Sequence, residues 1–90
     1  MAGIMGVKIK IMPTSPNVDL KKIKETAKTL VKKNGGLNRV YEEEPIAFGL
    51  VAVIAFFEWP EEKELDKIEK QLQKIKDVQS TQVIDLRKIA

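Results

Sequence analysis

The side chains that could perform acid–base or metal chemistry in this chain are carboxylates and lysines, because its 90 residues include no His and no Cys. Disulfides, zinc fingers, histidine-ligated metals and Cys–His or Ser–His–Asp catalytic arrangements are therefore excluded. The densest carboxylate group is Glu42-Glu43-Glu44. On a strand Glu42 and Glu44 would share a face and could hold a divalent cation, but three adjacent acids at a strand end are more often simply solvated.

Glycine-rich phosphate binding is not predicted either. Asn34-Gly35-Gly36 follows a helical pattern, whereas a phosphate loop precedes the helix whose N-terminus it uses. We therefore predict no catalytic residue, no metal ligand and no cofactor, and we do not expect an enzyme.

One aromatic residue stands in an unusual setting, Pro45-Ile46-Ala47-Phe48-Gly49-Leu50. Pro45 has no amide hydrogen to donate to a neighbouring strand where the chain turns into an apolar strand, and Gly49 has no side chain beside Phe48. Phe48 could then project from the end of the sheet and contact a partner. The competing interpretation is that Phe48 fills the core.

The same segment loosely resembles the third strand of an RNA-recognition motif, in which aromatic side chains stack on bases. The basic residue that begins that signature is absent, and its second stacking position is the aliphatic Val53. An RNA-binding module is therefore kept only as the alternative function. For the favoured function, we expect no direct contact with nucleic acid.

Two consecutive cations, Arg87 and Lys88, precede Ile89 near the C-terminus. A lysine at this kind of position is usually a solvated charge. The net charge of +3 conceals three blocks: residues 1–40 carry nine bases and two acids, residues 41–66 one base and eight acids, and residues 67–90 six bases and three acids. Patches of both signs favour a protein partner over nucleic acid, although solvated helix faces explain part of the pattern.

Hydrophobic periodicity predicts the elements that must position these residues. Their order is a strand over 5–11, a helix from Leu20 to Val31 capped by Asn17 or Asp19 and ending at 34–36, an edge strand over 37–44, a strand over 48–59, a helix opened by Pro60-Glu61-Glu62, and a strand over 78–89 with a bulge or a frayed end.

This β-α-β-β-α-β order divides into halves at residues 4–44 and 47–89. Right-handed crossovers in both halves give a ferredoxin-like α+β sandwich, in which two helices cover one face of a four-stranded antiparallel sheet. The chain length fits one domain over residues 1–90. The longest apolar run, residues 46–57, is too short to cross a bilayer, and no targeting segment is recognised, so we predict a cytoplasmic protein without membrane contact.

Several segments together resemble the archaeal translation elongation factor 1-beta family and the exchange domain of its eukaryotic counterpart. These segments are Ile11-Met12-Pro13, Ser15-Pro16, Val18-Asp19-Leu20, Glu44-Pro45-Ile46-Ala47-Phe48-Gly49-Leu50 and Val78-Gln79-Ser80-Thr81.

The resemblance implies a guanine-nucleotide exchange factor for elongation factor 1-alpha, the GTPase that delivers aminoacyl-tRNA. It also implies that Lys88 enters the magnesium site of that GTPase and that Phe48 is a second inserted group. The expected partner-binding residues are Lys88, Phe48, Pro45, Ile46, Gly49 and Arg87. This chain continues one residue past the eukaryotic pattern, to Ala90.

Overall fold

Six elements make up the fold, which a computed structural model describes for residues 3–90. Residues 1 and 2 of the predicted domain lie outside this range. The bounds are β1 (Ile4–Pro13), α1 (Leu20–Lys33), β2 (Leu37–Pro45), β3 (Val51–Pro60), α2 (Leu65–Gln73) and β4 (Val78–Lys88).

The four strands form one antiparallel sheet with the order β2-β3-β1-β4. This order and the two helices confirm the predicted ferredoxin-like arrangement. β1 is central, and β2 and β4 are the edges, so the edge position predicted for β2 is also confirmed. No helix in residues 3–90 is long and apolar enough to cross a membrane.

The core lies between one face of the sheet and the two helices. Its side chains alternate along β1 and β3 and recur at helical spacing on α1 and α2, as the sequence periodicity requires. The buried members are Val7, Ile9, Ile11, Ile23, Ala27, Val31, Val53, Ala55, Phe57, Trp59, Ile68, Leu72 and Ile75. Because both helices share this cluster, they cover the same face and leave the other face open.

The N-terminus of α1 is capped by Asp19, one of the two predicted residues. Its Oδ1 accepts hydrogen bonds from the amides of Lys21 (3.1 Å) and Lys22 (3.4 Å). These bonds satisfy donors that have no partner within the helix. The helix ends with Asn34 as its C-cap, where the sequence predicted its end.

Two predicted boundaries are wrong. β3 begins at Val51 instead of Phe48, because a tight turn occupies the preceding residues. α2 begins at Leu65, and Pro60 is the last residue of β3, paired with Ile4. The Glu61 amide still donates to the Gly3 carbonyl (2.9 Å), so the chain follows β1 past Pro60 and has no freedom to start a helix there.

The bulge expected in β4 is present. Lys8 pairs with Asp85 but Ile9 pairs with Val83, so Ile84 is an extra residue in the ladder. An extra residue changes the face on which the following side chains lie. This accounts for the irregular alternation in the sequence, and the end of β4 is paired and not frayed.

Candidate functional site

The turn between β2 and β3 holds Phe48 outside the sheet. The Ile46 amide donates to the Leu50 carbonyl (2.8 Å), and the Leu50 amide donates to the Ala47 carbonyl (2.9 Å). The two central residues, Phe48 and Gly49, have positive φ values of 55° and 78°. Positive φ at both positions is the signature of a type I′ turn, whose handedness matches the twist of a β-hairpin.

Phe48 is an unexpected residue for this turn. Asn, Asp and Gly are the usual occupants, and a left-handed backbone costs other residues about 1–2 kcal/mol. The side chain recovers nothing by packing, because Phe48 is 97% exposed. The interpretation of Phe48 as a core residue is therefore wrong, and the requirements of folding do not explain a phenylalanine here.

The residues around Phe48 form a small apolar surface, which we call the hairpin end. It comprises residues 45–50 and Pro16. Pro45 ends the edge strand β2, where a missing ladder donor is tolerated, and Ile46 is exposed. A Cβ added to Gly49 would lie 3.7 Å from Pro16 Cβ. The loop between β1 and α1 therefore borders the turn that presents Phe48.

Lys88 is the last residue of β4 and pairs with Met5 of β1. Beyond it the ladder continues, because the Ile89 amide donates to the Ile4 carbonyl (2.9 Å) and the Ile4 amide donates to the Ala90 carbonyl (2.8 Å). The backbone of Lys88 is thus fixed by the sheet, while its side chain is 63% exposed.

The charges beside Lys88 are paired. Lys88 Nζ lies 3.6 Å from Glu61 Oε2, and Arg87 Nη2 lies 3.1 Å from Asp85 Oδ2. We call this region, formed by residues 85–90 and Glu61, the lysine end. The hairpin end presents an exposed aromatic side chain on a turn, whereas the lysine end presents exposed charged side chains at the end of a strand.

The predicted site residues do not come together in one place. Pro13 pairs with Val78 at one end of β1, and Met5 pairs with Lys88 at the other. The hairpin end lies beyond the first of these pairs and the lysine end at the second. With about 3.3 Å per strand residue, the two ends are roughly 30 Å apart. Pro45, Ile46, Phe48 and Gly49 therefore form one group, and Arg87 and Lys88 form another.

Two of the three carboxylates of β2 lie near lysines. Glu43 lies 2.7 Å from Lys24 Nζ of α1, and Glu44 lies 4.0 Å from Lys10 Nζ of β1. Glu42 and Glu44 do share the open face of the sheet, at positions paired with Ile54 and Ala52. Within residues 3–90, however, no three side chains of Asp, Glu, His or Cys are grouped so as to hold a metal ion.

The open face of the sheet also bears on the RNA-binding alternative. Base stacking requires exposed aromatic side chains on that face. Phe48 lies in the turn, and the half-buried Phe56 has Lys8 Nζ 5.5 Å from its ring centroid. The similarity to an RNA-recognition strand therefore does not correspond to a stacking platform.

Two features of the structure were not predicted from the sequence, the position of Glu61 and the buried hydroxyl of Tyr41. Glu61 was taken as part of a helix start, and only its pairing across β1 reveals its position beside Lys88. Tyr41 donates to Asn38 Oδ1 (2.7 Å), and burial raises the pKa of its hydroxyl above the usual range, so it remains a neutral structural donor. The Glu61 position depends on a pairing partner 58 residues away in sequence, which no local pattern encodes.

Comparison with known proteins places this arrangement in a family. Residues 6–89 match the EF-1 guanine nucleotide exchange domain. The chain belongs to this family. Elongation factor 1-beta of Methanococcus maripaludis strain C6 is 44% identical over 81 residues, covering 88% of this chain and 90% of that protein. Elongation factor 1-beta of Pyrococcus furiosus is 38% identical over 89 residues, covering 96% and 94%.

The family and the elongation factor names of its members support a role in nucleotide exchange during translation elongation. A solved structure, the ACT domain from GTP pyrophosphokinase of Chlorobium tepidum, superposes with a TM-score of 0.56 at 10% identity, covering 93% of this chain and 100% of that one. At this identity the likeness shows the ferredoxin-like fold alone.

Proposed function

We propose that this chain, acting as one domain over residues 1–90, promotes release of GDP from elongation factor 1-alpha during translation elongation. The observation that carries the proposal is Phe48, which is 97% exposed and held in a left-handed turn. An aromatic side chain that costs folding free energy and contacts no core is typical of an anchor that a partner buries. Such a role implies work in the cytoplasm.

Lys88 supplies the second contact in this proposal. GDP is held by phosphate contacts and by a magnesium ion that bridges phosphate and protein oxygens of the GTPase. The Lys88 ammonium brings positive charge to that site but cannot coordinate oxygens as magnesium does. Its insertion would therefore displace the ion and weaken the hold on the phosphates.

The separation of the two ends supports a division of roles. The hairpin end presents apolar surface for affinity, and the lysine end presents charge for the magnesium site. By linkage, the factor lowers nucleotide affinity to the same degree that nucleotide lowers the affinity for the factor. Exchange of this kind requires no bond making by the chain, and the acidic and basic blocks would speed docking.

The test uses the cognate GTPase loaded with fluorescent GDP, with excess unlabelled nucleotide added at time zero. The wild-type chain should accelerate release, added magnesium should oppose it, and Lys88→Ala should remove most of the acceleration. A matched control is Lys70→Ala, which removes an exposed lysine from α2. If the wild-type chain leaves the release rate unchanged, the exchange proposal is wrong. If Lys88→Ala accelerates release as well as wild type, the lysine has no such role and Arg87 becomes the candidate.

A further inference from the structure

Glu61 is bound to the end of the sheet at two points. Its Oε2 accepts a hydrogen bond from the Gly3 amide (3.0 Å), and its own amide donates to the Gly3 carbonyl (2.9 Å). A surface glutamate normally samples many rotamers, so an isolated ion pair with it gives little order. These two bonds instead fix both the backbone and the carboxylate of Glu61.

The same oxygen lies 3.6 Å from Lys88 Nζ. Glu61 directly follows β3 and Lys88 ends β4, and Gly3, the residue before β1, lies between them. A Cβ at Gly3 would come within 2.5 Å of Glu61 Oε2 and 2.8 Å of Lys88 Cε, and it would also meet the Ala90 carbonyl. The absence of a side chain at Gly3 therefore lets the carboxylate and the ammonium approach each other.

We propose that Glu61 is a positioning residue that competes with the GTPase for Lys88. The proposal rests on the exchange function above. A single ammonium cannot remain beside Glu61 and also occupy a magnesium site, whose phosphate and carboxylate oxygens attract the same charge. Glu61 therefore shifts the equilibrium between a retained and an inserted Lys88 toward the retained state. When nucleotide and magnesium return to the GTPase, Glu61 provides the position to which Lys88 withdraws.

The size of the effect follows from the exposure of the pair. The side chains of Lys88 and Glu61 are 63% and 44% exposed, so solvent screens their attraction. Pairs of this kind shift an equilibrium by about two- to fivefold. A shift of that size adjusts the strength and lifetime of the complex without preventing its formation.

The variant Glu61→Gln isolates the charge. Its amide oxygen can still accept from the Gly3 amide, so the backbone anchor remains while the attraction for Lys88 is lost. We expect this variant to bind the nucleotide-free GTPase about two- to fivefold more tightly. The magnesium concentration that halves exchange should rise by a similar factor. Unchanged thermal midpoints would show that the fold is kept.

Two comparisons make the test decisive. Glu62→Gln removes the same charge from the adjacent exposed residue, which makes no ion pair within residues 3–90, and it should leave both measurements unchanged. In a Lys88→Ala background, Glu61→Gln should have no effect. An unchanged or weaker affinity in Glu61→Gln, or the same gain without Lys88, would overturn the competition. If wild type exchanges normally in that experiment, only the role of Glu61 is rejected; if wild type fails to exchange, the exchange proposal is rejected with it.

Discussion

The hairpin end and the lysine end of the sheet differ in how the backbone presents the exposed side chain. At the hairpin end, Phe48 has a left-handed backbone and a side chain that is 97% exposed, so the protein loses stability to expose an aromatic ring. At the lysine end, Lys88 lies on the edge strand β4, which pairs with β1, and beside the carboxylate of Glu61, which accepts a hydrogen bond from the Gly3 amide. The contrast suggests that the first end serves to hold a partner and the second to act on it.

The largest expected effect comes from reversing the charge at the lysine end. Lys88→Glu would place a carboxylate beside Glu61 and bring negative charge to the phosphates, so the maximal rate of GDP release should fall about 10- to 100-fold. The free energy of unfolding should change by only about 1 kcal/mol, because both side chains are partly exposed and solvent screens their interaction. Stopped-flow release and thermal melting measure the two quantities. Lys70→Glu is the matched control, and an equal loss of rate in that variant would assign the effect to net charge.

A smaller effect with a different kinetic form is expected at the hairpin end. Phe48→Ala removes an anchor of about 2 kcal/mol, so the factor concentration that gives half-maximal exchange should rise about 30-fold. The maximal rate should remain close to that of wild type, because Lys88 is untouched. If the maximal rate falls and the half-saturating concentration is unchanged, the hairpin end does not serve mainly for affinity, and the proposed division of roles between the two ends is wrong.

Replacing Phe48 should raise the stability of the fold, whereas replacing a buried aromatic residue lowers it. Phe48→Asn places a residue suited to positive φ in the turn, and we expect the free energy of unfolding to rise by up to about 1 kcal/mol. Exchange should weaken as in Phe48→Ala. Denaturant titration measures the gain, and Phe57→Ala, which empties a core position, should instead lose about 3–5 kcal/mol. A comparable loss in Phe48→Asn would mean that Phe48 has a packing role.

The smallest effect is predicted for the neighbour of Lys88. Arg87 is 71% exposed and paired with Asp85, so Arg87→Ala should change stability by less than about 1 kcal/mol. GDP release should slow less than twofold at physiological salt, because the charge lost lies outside the inserted group. Asp85→Asn serves as the control for breaking the same pair. If Arg87→Ala slows GDP release as much as Lys88→Ala does, Arg87 also takes part in releasing the nucleotide.

The sequence predicted those features that depend on contiguous patterns. The alternation in β1, the helical spacing of α1 and the Asp19 cap are local signals, and each is confirmed. The turn at Phe48 was missed because the apolar run from Ile46 to Phe57 continues through it without a polar break. No composition rule identifies a phenylalanine in a type I′ turn.

The second group of errors comes from long-range pairing. Pro60 resembles a first helical residue, and only its pairing with Ile4 shows that it ends a strand. The proximity of Glu61 and Lys88 likewise depends on β1 lying between β3 and β4. The candidate residues could thus be named from the sequence. Their separation into two distant groups becomes visible only from the order and pairing of the strands.

The strand order has a consequence for synthesis of the chain. β1 emerges first, yet its two neighbours are β3 and β4, so one of its edges stays unpaired until the final strand is made. Pairing over such long sequence separations is slow, and an open central strand can pair with other chains. The sheet is therefore completed only after translation of β4, and the strand that completes it carries Lys88. A truncated product that lacks β4 would leave one edge of β1 unpaired and open to other chains, and it would contain no Lys88.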